Sequence, residues 1–234
     1  MWKRLITTVI VATQTVTTSL VNSILEEIFQ KPLTDCRFEK VDPRKYVRRR
    51  IGGVHDVVLF HSSTADIVLT WGFSFDFIPH ISGRYTESVK WHRTAKSAIR
   101  DLAYSGLNRS LVKSSDPEPG ARMWTSHGEE RFREDALKCR DLLLPKALQQ
   151  MSAPKDIRSF RGLFEAQEEE FGKAFSNYYH FALAYSFYFA KIGETTKARA
   201  YMSEWLKRSH HREETQRKIS ELFEAVAAKP LTLQ

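Results

Sequence analysis

The sequence lacks most of the patterns that name a chemistry. It contains only two cysteines, Cys36 and Cys139, and they lie far apart. This spacing excludes a disulfide-rich scaffold and the usual zinc ribbons. Glycine-rich phosphate loops, nucleophile elbows and kinase motifs are also missing. These absences favour a protein without catalysis but leave enzymatic activity open, and no pattern predicts a cofactor.

Long apolar runs are missing as well. No stretch reaches the roughly 18 apolar residues that a membrane-spanning helix needs. Lys3 and Arg4 precede a short apolar run that resembles a weak signal peptide, but Thr7 and Thr8 dilute it and no small-residue cleavage site follows. We expect a cytoplasmic protein with no membrane partner. Whether the first 15 residues are a targeting segment stays open.

Positive charge is in excess, and it is unevenly distributed along the sequence. The formal net charge is +8, and residues 1–112 hold 16 Lys and Arg against 10 Asp and Glu, a net +6. A basic first half favours an acidic partner, which could be nucleic acid, anionic lipid or an acidic protein. The charge alone does not choose among them.

The richest segment runs from residue 65 to residue 80 and alternates strictly. Side chains of a strand alternate between two faces, so this pattern predicts one long strand with a buried aromatic face. The opposite face is small and polar, and it carries the carboxylate of Asp76. The aromatic face comprises Ile67, Leu69, Trp71, Phe73, Phe75 and Phe77.

Shorter patterns surround this strand. Residues 45–51 and 54–61 read as two strands joined by a tight turn at Gly52-Gly53, so we predict an antiparallel three-stranded meander. A helix over residues 19–30, ended by Pro32, precedes it. An apolar stripe with helical spacing over residues 86–103 predicts a basic helix that covers the sheet.

The second half reads as helical throughout. Residues 108–125 are rich in Ser, Pro and Gly, which predicts a loop. We therefore expect an α+β domain over 1–110, a linker loop over 111–125 and a helical domain over 126–234. The fold class is α+β: the meander packed with helices, followed by an all-helical C-terminal bundle. An aromatic helix over 171–192 is apolar nearly all round, which is typical of the centre of a bundle.

One candidate site combines the end of the long strand with the start of the basic helix. It comprises Asp76, His80, Trp91, His92 and Arg93. In one interpretation a carboxylate and a histidine bind a metal or act as acid and base. In the other, which we favour, these residues form a packing junction in which Asp76 pairs with Arg93 or Arg100. No residue has the spacing of a known metal site, so we assign neither catalytic residues nor metal ligands.

A second set consists of candidate contacts to a partner. Arg48 and Arg50 lie on one side of their strand, opposite to Arg49, so the three cannot form one basic patch. Tyrosines of the aromatic helix could line a groove for a partner segment. The candidate partner-binding residues are Arg48, Arg50, Tyr178, Tyr179, Tyr185 and Tyr188.

Two segments resemble known families. Residues 71–80, Trp-Gly-Phe-Ser-Phe-Asp-Phe-Ile-Pro-His, and 90–98, Lys-Trp-His-Arg-Thr-Ala-Lys-Ser-Ala, make residues 20–102 similar to an uncharacterised bacterial domain-of-unknown-function family. That resemblance implies a bacterial accessory protein and no established activity. Residues 181–206, with Gly193 at the turn and Ala198 and Tyr201 on the second helix, resemble a single tetratricopeptide helical hairpin.

These observations favour a non-catalytic protein that binds another protein, as an immunity-type or regulatory partner. The alternative is a nucleic-acid-binding or metal-dependent nuclease-like protein that uses the Asp76, His80 and His92 region. A small-molecule enzyme with its pocket over the polar face of the long strand is a third possibility. The sequence does not determine the partner or the oligomeric state.

Overall fold

The computed structural model describes residues 15–62, 65–82, 88–91, 102–104, 122–171 and 178–231. The predicted α+β class is confirmed, because antiparallel sheet and helices both occur. The helices are α1 (Thr18–Asp35), α2 (Glu129–Leu142), α3 (Leu144–Ser152), α4 (Arg161–Phe171), α5 (Tyr178–Lys191), α6 (Thr195–Arg208) and α7 (Glu213–Ala227). The strands are β1 (Glu39–Asp42), β2 (Lys45–Arg49), β3 (Val54–Ser62), β4 (Asp66–Phe75), β5 (Pro79–Ser82), β6 (Ser88–Trp91), β7 (Leu102–Tyr104) and β8 (Arg122–Trp124).

Within the described ranges the main sheet has six strands, and β4 pairs with three of them. The strand order is β1-β2-β3-β4-β7, and β8 pairs with β4 as well. All of these pairings are antiparallel. Strands β7 and β8 pair with different parts of β4, at Trp71–Phe73 and at Asp66–Val68. Strands β5 and β6 form a separate two-stranded sheet.

Strand register decides which residues share a face. In β3 and β4, Val54 pairs with Phe75 and Asp56 pairs with Phe73, so residues with even numbers in β3 lie beside residues with odd numbers in β4. Helices cover this face, since Phe29 of α1 packs on Phe60 with ring centroids 4.6 Å apart. All ten residues of β4 are buried, so its second face is covered too. The small, polar face of β4 is therefore as buried as its aromatic face.

Aromatic side chains join the C-terminal helices to the sheet. The ring of Phe160 lies 4.7 Å from Phe73 and 5.2 Å from Phe75, edge to face in both cases. Phe164 of α4 stacks on Tyr188 of α5 at 4.4 Å. One hydrophobic cluster runs from α1 through the sheet into these helices. Residues after 126 thus share their core with the sheet, while the division at 111–125 stays a prediction.

Helix α1 extends past the residue where we expected it to end. Pro32 lies inside the helix, which continues to Asp35. The end is a Schellman cap: Phe38 N donates to Leu33 O at 3.0 Å, and Arg37 N donates to Thr34 O at 2.8 Å. Arg37 takes the left-handed conformation, with φ at 67°, where glycine is usual. Burial of Phe38 against the core offsets the hydrogen bond that Pro32 removes.

Three further segments differ from the sequence interpretation. Residues 88–91 and 102–104 form strands rather than parts of a covering helix, and residues 92–101 lie outside the described residues. Strand β4 ends at Phe75, where Ile78 N donates to Phe75 O and turns the chain. Residues 122–124, expected in the linker loop, extend the sheet. Short strands inside polar segments carry too few residues for their period to be read.

Helices α5 and α6 pack against each other across a short turn. Gly193 has a φ of 88°, and the bonds from Gly193 N to Ala190 O and from Glu194 N to Phe189 O close another Schellman cap. Phe189 then stacks on Tyr201 with ring centroids 5.6 Å apart. Gly193 thus lies at the turn between α5 and α6, and the resemblance to a tetratricopeptide hairpin stays a prediction.

Tyr46 offers a test of this packing at high pH. Burial raises its pKa to about 12, with the charge of Glu26 adding to the effect. The pKa of tyrosine in the unfolded state is about 10. The folded state therefore favours the neutral Tyr46 side chain, and the stability that this preference provides is complete below pH 10 and is lost as the pH rises towards 12. Its hydroxyl has no hydrogen-bond partner among the described residues. We expect Tyr46→Phe to keep its stability at neutral pH and to lose less stability in alkali, measured by urea unfolding.

Tyr188→Phe is the matched control. The Tyr188 hydroxyl donates to Ile157 O at 2.9 Å, so its removal should destabilise the protein by about 1 kcal/mol even at neutral pH. Equal losses for both variants at neutral pH would contradict the placement of Tyr46.

Candidate functional site

The structure separates the residues of the first candidate site. Asp76 lies in the turn after β4, and its side chain is 42% exposed. The backbones of His80 and Trp91 lie on the paired strands β5 and β6, where His80 faces Lys90 and Trp91 faces Pro79. His92 and Arg93 lie outside the described residues, as does Arg100. The proposed meeting of Asp76, His80 and His92 therefore stays a prediction, and so does the pairing of Asp76 with an arginine.

The described partner of Asp76 is His55, which the sequence interpretation did not single out. His55 Nε2 lies 2.6 Å from Asp76 Oδ1. The two residues come together because β3 pairs antiparallel with β4, which places His55 opposite Ser74, two residues before Asp76. Asp76 N also donates to Gly53 O at 2.8 Å, and a Cβ built on Gly53 would lie 3.2 Å from the Asp76 Cβ. The glycine thus permits the close approach of Asp76.

Ser74 lies directly opposite His55 in the sheet register. Both side chains are buried, at 0% and 7% exposure. Serine, histidine and aspartate are the residue types of a nucleophile, a base and its orienting acid. Because a substrate cannot reach a fully buried hydroxyl, this arrangement gives no accessible nucleophile. Of the three side chains, His55 and Asp76 contact each other, and Asp76 reaches solvent while Ser74 and His55 are buried.

Arg48 and Arg50, proposed as partner contacts, instead surround a buried carboxylate. Asp56 is 0% exposed and lies on the helix-covered face. Arg48 Nη2 lies 2.7 Å from Asp56 Oδ2, and Arg50 Nη2 lies 2.8 Å from Asp56 Oδ1. Burial raises the pKa of Asp56, and the two guanidiniums act in the opposite direction. We call Arg48, Arg50 and Asp56 the arginine clamp.

The arginine clamp also holds the ends of two helices. Arg48 Nη1 donates to Cys36 O, the carbonyl that follows α1, and its guanidinium lies 4.8 Å above the Phe38 ring. Arg50 donates to Met151 O and Pro154 O at the end of α3. Positive charge is favourable at helix C-termini, where carbonyls lack partners. Both guanidiniums are therefore engaged inside the protein and are not available as a basic patch.

The tyrosines of α5 have different places. Tyr185 and Tyr188 are 1% and 0% exposed, so their rings belong to the core and cannot line a docking groove. Tyr188 also donates its hydroxyl to Ile157 O. Tyr178 lies at the first position of α5, and Tyr179 follows it. An apolar helix gives no sequence signal that separates a buried tyrosine from an exposed one.

The hairpin tip between β2 and β3 has an exposed side chain that sequence reasoning missed. Ile51 is fully exposed, at 101%. It is followed by Gly52 and Gly53, which have φ angles of 83° and 76°. A Cβ built on Gly52 would meet nothing within 4 Å, so the backbone beside Ile51 is bare. We call Ile51–Gly53 the hairpin tip.

Nowhere in the described ranges do three or more His, Cys, Asp or Glu side chains gather as possible metal ligands. Within those ranges, no helix combines the length and apolar character needed to cross a bilayer.

Comparison with known proteins adds no relative. No protein-family model matches the chain, and neither a curated protein nor a solved structure matches it. The two resemblances noted in the sequence stay predictions.

Removal of the carboxylate at the centre of the arginine clamp should be costly. We expect Asp56→Asn to destabilise the protein by about 3–5 kcal/mol, because two largely buried guanidiniums lose their counter-charge. The measurement is the free energy of unfolding in urea. Asp141→Asn is the control, since Asp141 pairs with Arg140 at 2.7 Å but is 60% exposed, and its loss should change little. Equal stability of Asp56→Asn and the unaltered protein would contradict the clamp.

The His55–Asp76 contact predicts different losses of stability for two substitutions of Asp76. Asp76→Ala removes the acceptor and leaves the buried Nε2 unpaired, which should cost about 1–3 kcal/mol. Asp76→Asn keeps an acceptor oxygen and should recover part of that loss. Thermal unfolding followed by circular dichroism measures both. If Asp76→Ala melts at the same temperature as the unaltered protein, the contact does not form in solution.

Proposed function

We propose that this is a non-catalytic protein-binding protein, of the immunity or regulatory type that the sequence favours, and that it contacts its partner through the hairpin tip. The observation that carries the proposal is the full exposure of Ile51 at the end of the hairpin formed by β2 and β3.

The choice of residue at the hairpin tip supports binding. Turns favour Gly, Pro, Asn, Asp and Ser, each for a backbone or hydrogen-bonding reason that isoleucine does not share. An exposed isoleucine gains nothing from folding, since its apolar surface stays in water. Local rules are commonly broken where function requires it. Single exposed apolar residues also occur without function, so the support comes from the next two features.

The base of the hairpin tip is tied down on both sides. Arg50, the residue before Ile51, is held by Asp56 and by the end of α3. Gly53, the residue at the other end, accepts a hydrogen bond from Asp76, which itself contacts His55. A contact residue held in place before binding loses little conformational entropy on binding. Ile51 is thus presented as a preorganised apolar anchor.

The surroundings of the hairpin tip indicate the partner's chemistry. The bare backbone at Gly52 leaves room for a partner surface to approach closely. Arg49 is 59% exposed and lies two residues from Ile51, at 3.9 Å from Glu39. A matching partner surface would be an apolar pocket that takes one branched side chain, with acidic groups at the rim facing Arg49.

The test places a photo-crosslinking amino acid at position 51 and, as control, at position 142. Leu142 is also apolar and 65% exposed, but it lies at the end of α2. In the native host we expect one discrete crosslinked protein from position 51 and none from position 142. The captured partner is then purified for affinity measurement.

Affinity decides between specific and incidental capture. Ile51→Asp should weaken binding at least about 30-fold, as expected for a central anchor, while Leu142→Asp should leave the affinity unchanged. Because both residues are exposed, both variants should stay folded. Equal affinity of Ile51→Asp and the unaltered protein would overturn the proposal.

A further inference from the structure

Two buried polar atoms without a partner belong to residues that are paired in the central strand pair. His55 Nδ1 and Ser74 Oγ have no hydrogen-bond partner within the part of the chain that the structure describes. Their residues are paired in the register of β3 and β4 and lie on the same face of the sheet. Nearly all buried polar groups in folded proteins are hydrogen-bonded, so two such atoms on paired residues require a common explanation.

Asp76 defines the hydrogen-bonding character of His55. A carboxylate only accepts hydrogen bonds, so the 2.6 Å contact places a hydrogen on His55 Nε2. In the neutral ring Nδ1 is then an acceptor. Ser74 Oγ can both donate and accept. A third group that donates to Nδ1 and bonds to Oγ would satisfy both atoms.

The spacing of the two residues fits a bridging group. Side chains directly opposite each other in an antiparallel pair have Cβ atoms about 4.5–5.5 Å apart. Ser74 Oγ and His55 Nδ1 do not bond directly, since both remain without a partner. One oxygen between them, at about 2.8 Å from each, would complete the geometry.

We propose that His55 and Ser74 form a buried site for one small neutral group that donates and accepts hydrogen bonds. Its oxygen is that of a bound water or of the hydroxyl of a small ligand. With it in place, a continuous hydrogen-bonded chain leads from the half-exposed Asp76 through His55 to Ser74. The proposal does not depend on whether the hairpin tip binds a partner.

A high-resolution crystal structure of the full chain, grown without glycerol or other alcohols, tests the proposal. We expect density within hydrogen-bond distance of both His55 Nδ1 and Ser74 Oγ. An isolated peak identifies water, and extended density identifies a ligand hydroxyl; either outcome supports the site. A direct bond between Ser74 and His55, or the absence of density between them, overturns it.

Two serine and threonine variants test the same site in solution. Ser74→Ala should remove one of the two side chains that hold the bridging group. The nitrogen NMR signal of His55 Nδ1 should then change towards that of an unbonded ring nitrogen. Thr70→Val is the matched control: Thr70 lies on the same face of β4, but its hydroxyl already donates to Leu59 O at 3.0 Å. An Nδ1 signal that is the same in the unaltered protein and in folded Ser74→Ala would also overturn the proposal.

Discussion

A carboxylate with no exposed surface lies between two guanidiniums, and much of the architecture depends on it. Asp56 occupies a position on the helix-covered face where an apolar side chain would otherwise pack. Its charge is tolerable only because Arg48 and Arg50 reach it from the neighbouring strand. The same two arginines bind carbonyls that follow α1 and end α3. One interaction thus fixes strand pairing and the docking of two helices together.

This arrangement explains why a basic stretch of sequence does not make a basic surface. Of three successive arginines, Arg48 and Arg50 point towards the helices, whereas Arg49 points the other way and is 59% exposed. The aromatic rings beneath the two inward guanidiniums, Phe38 and Phe73, stabilise them further. Arg49, Ile51 and Asp76 keep exposed side chains at this end of the sheet.

Local patterns were sufficient for the parts of the fold that local chemistry determines. The Gly52-Gly53 turn, the two strands beside it and the helices after residue 126 follow from turn chemistry and apolar period. The predicted covering helix was wrong at residues 88–91 and 102–104, which form strands. Val89 and Trp91 fit a strand period as well as a helical one. The end of α1 was misplaced because Arg37, and not the usual glycine, takes the left-handed position of its cap.

The site residues were harder to predict than the fold. The neighbours of Asp76 in sequence are not its partners in space: His55 reaches it diagonally across a hairpin, a relation visible only once the strand register is known. Asp56 carries no signal in the sequence that marks it as buried. Likewise, Tyr185 and Tyr188 are core residues because of how α4 and α5 meet, which their own helix does not encode.

The long pairing of β3 with β4 has a consequence for the way the protein opens. Nine consecutive residue pairs join these strands, and every residue of β4 is shielded from water. Amide hydrogens in such a ladder exchange with deuterium only when large parts of the molecule unfold together. We therefore expect the strand pair that carries His55 and Ser74 to exchange slowly, so that a molecule entering between them arrives during folding or through a rare, large opening.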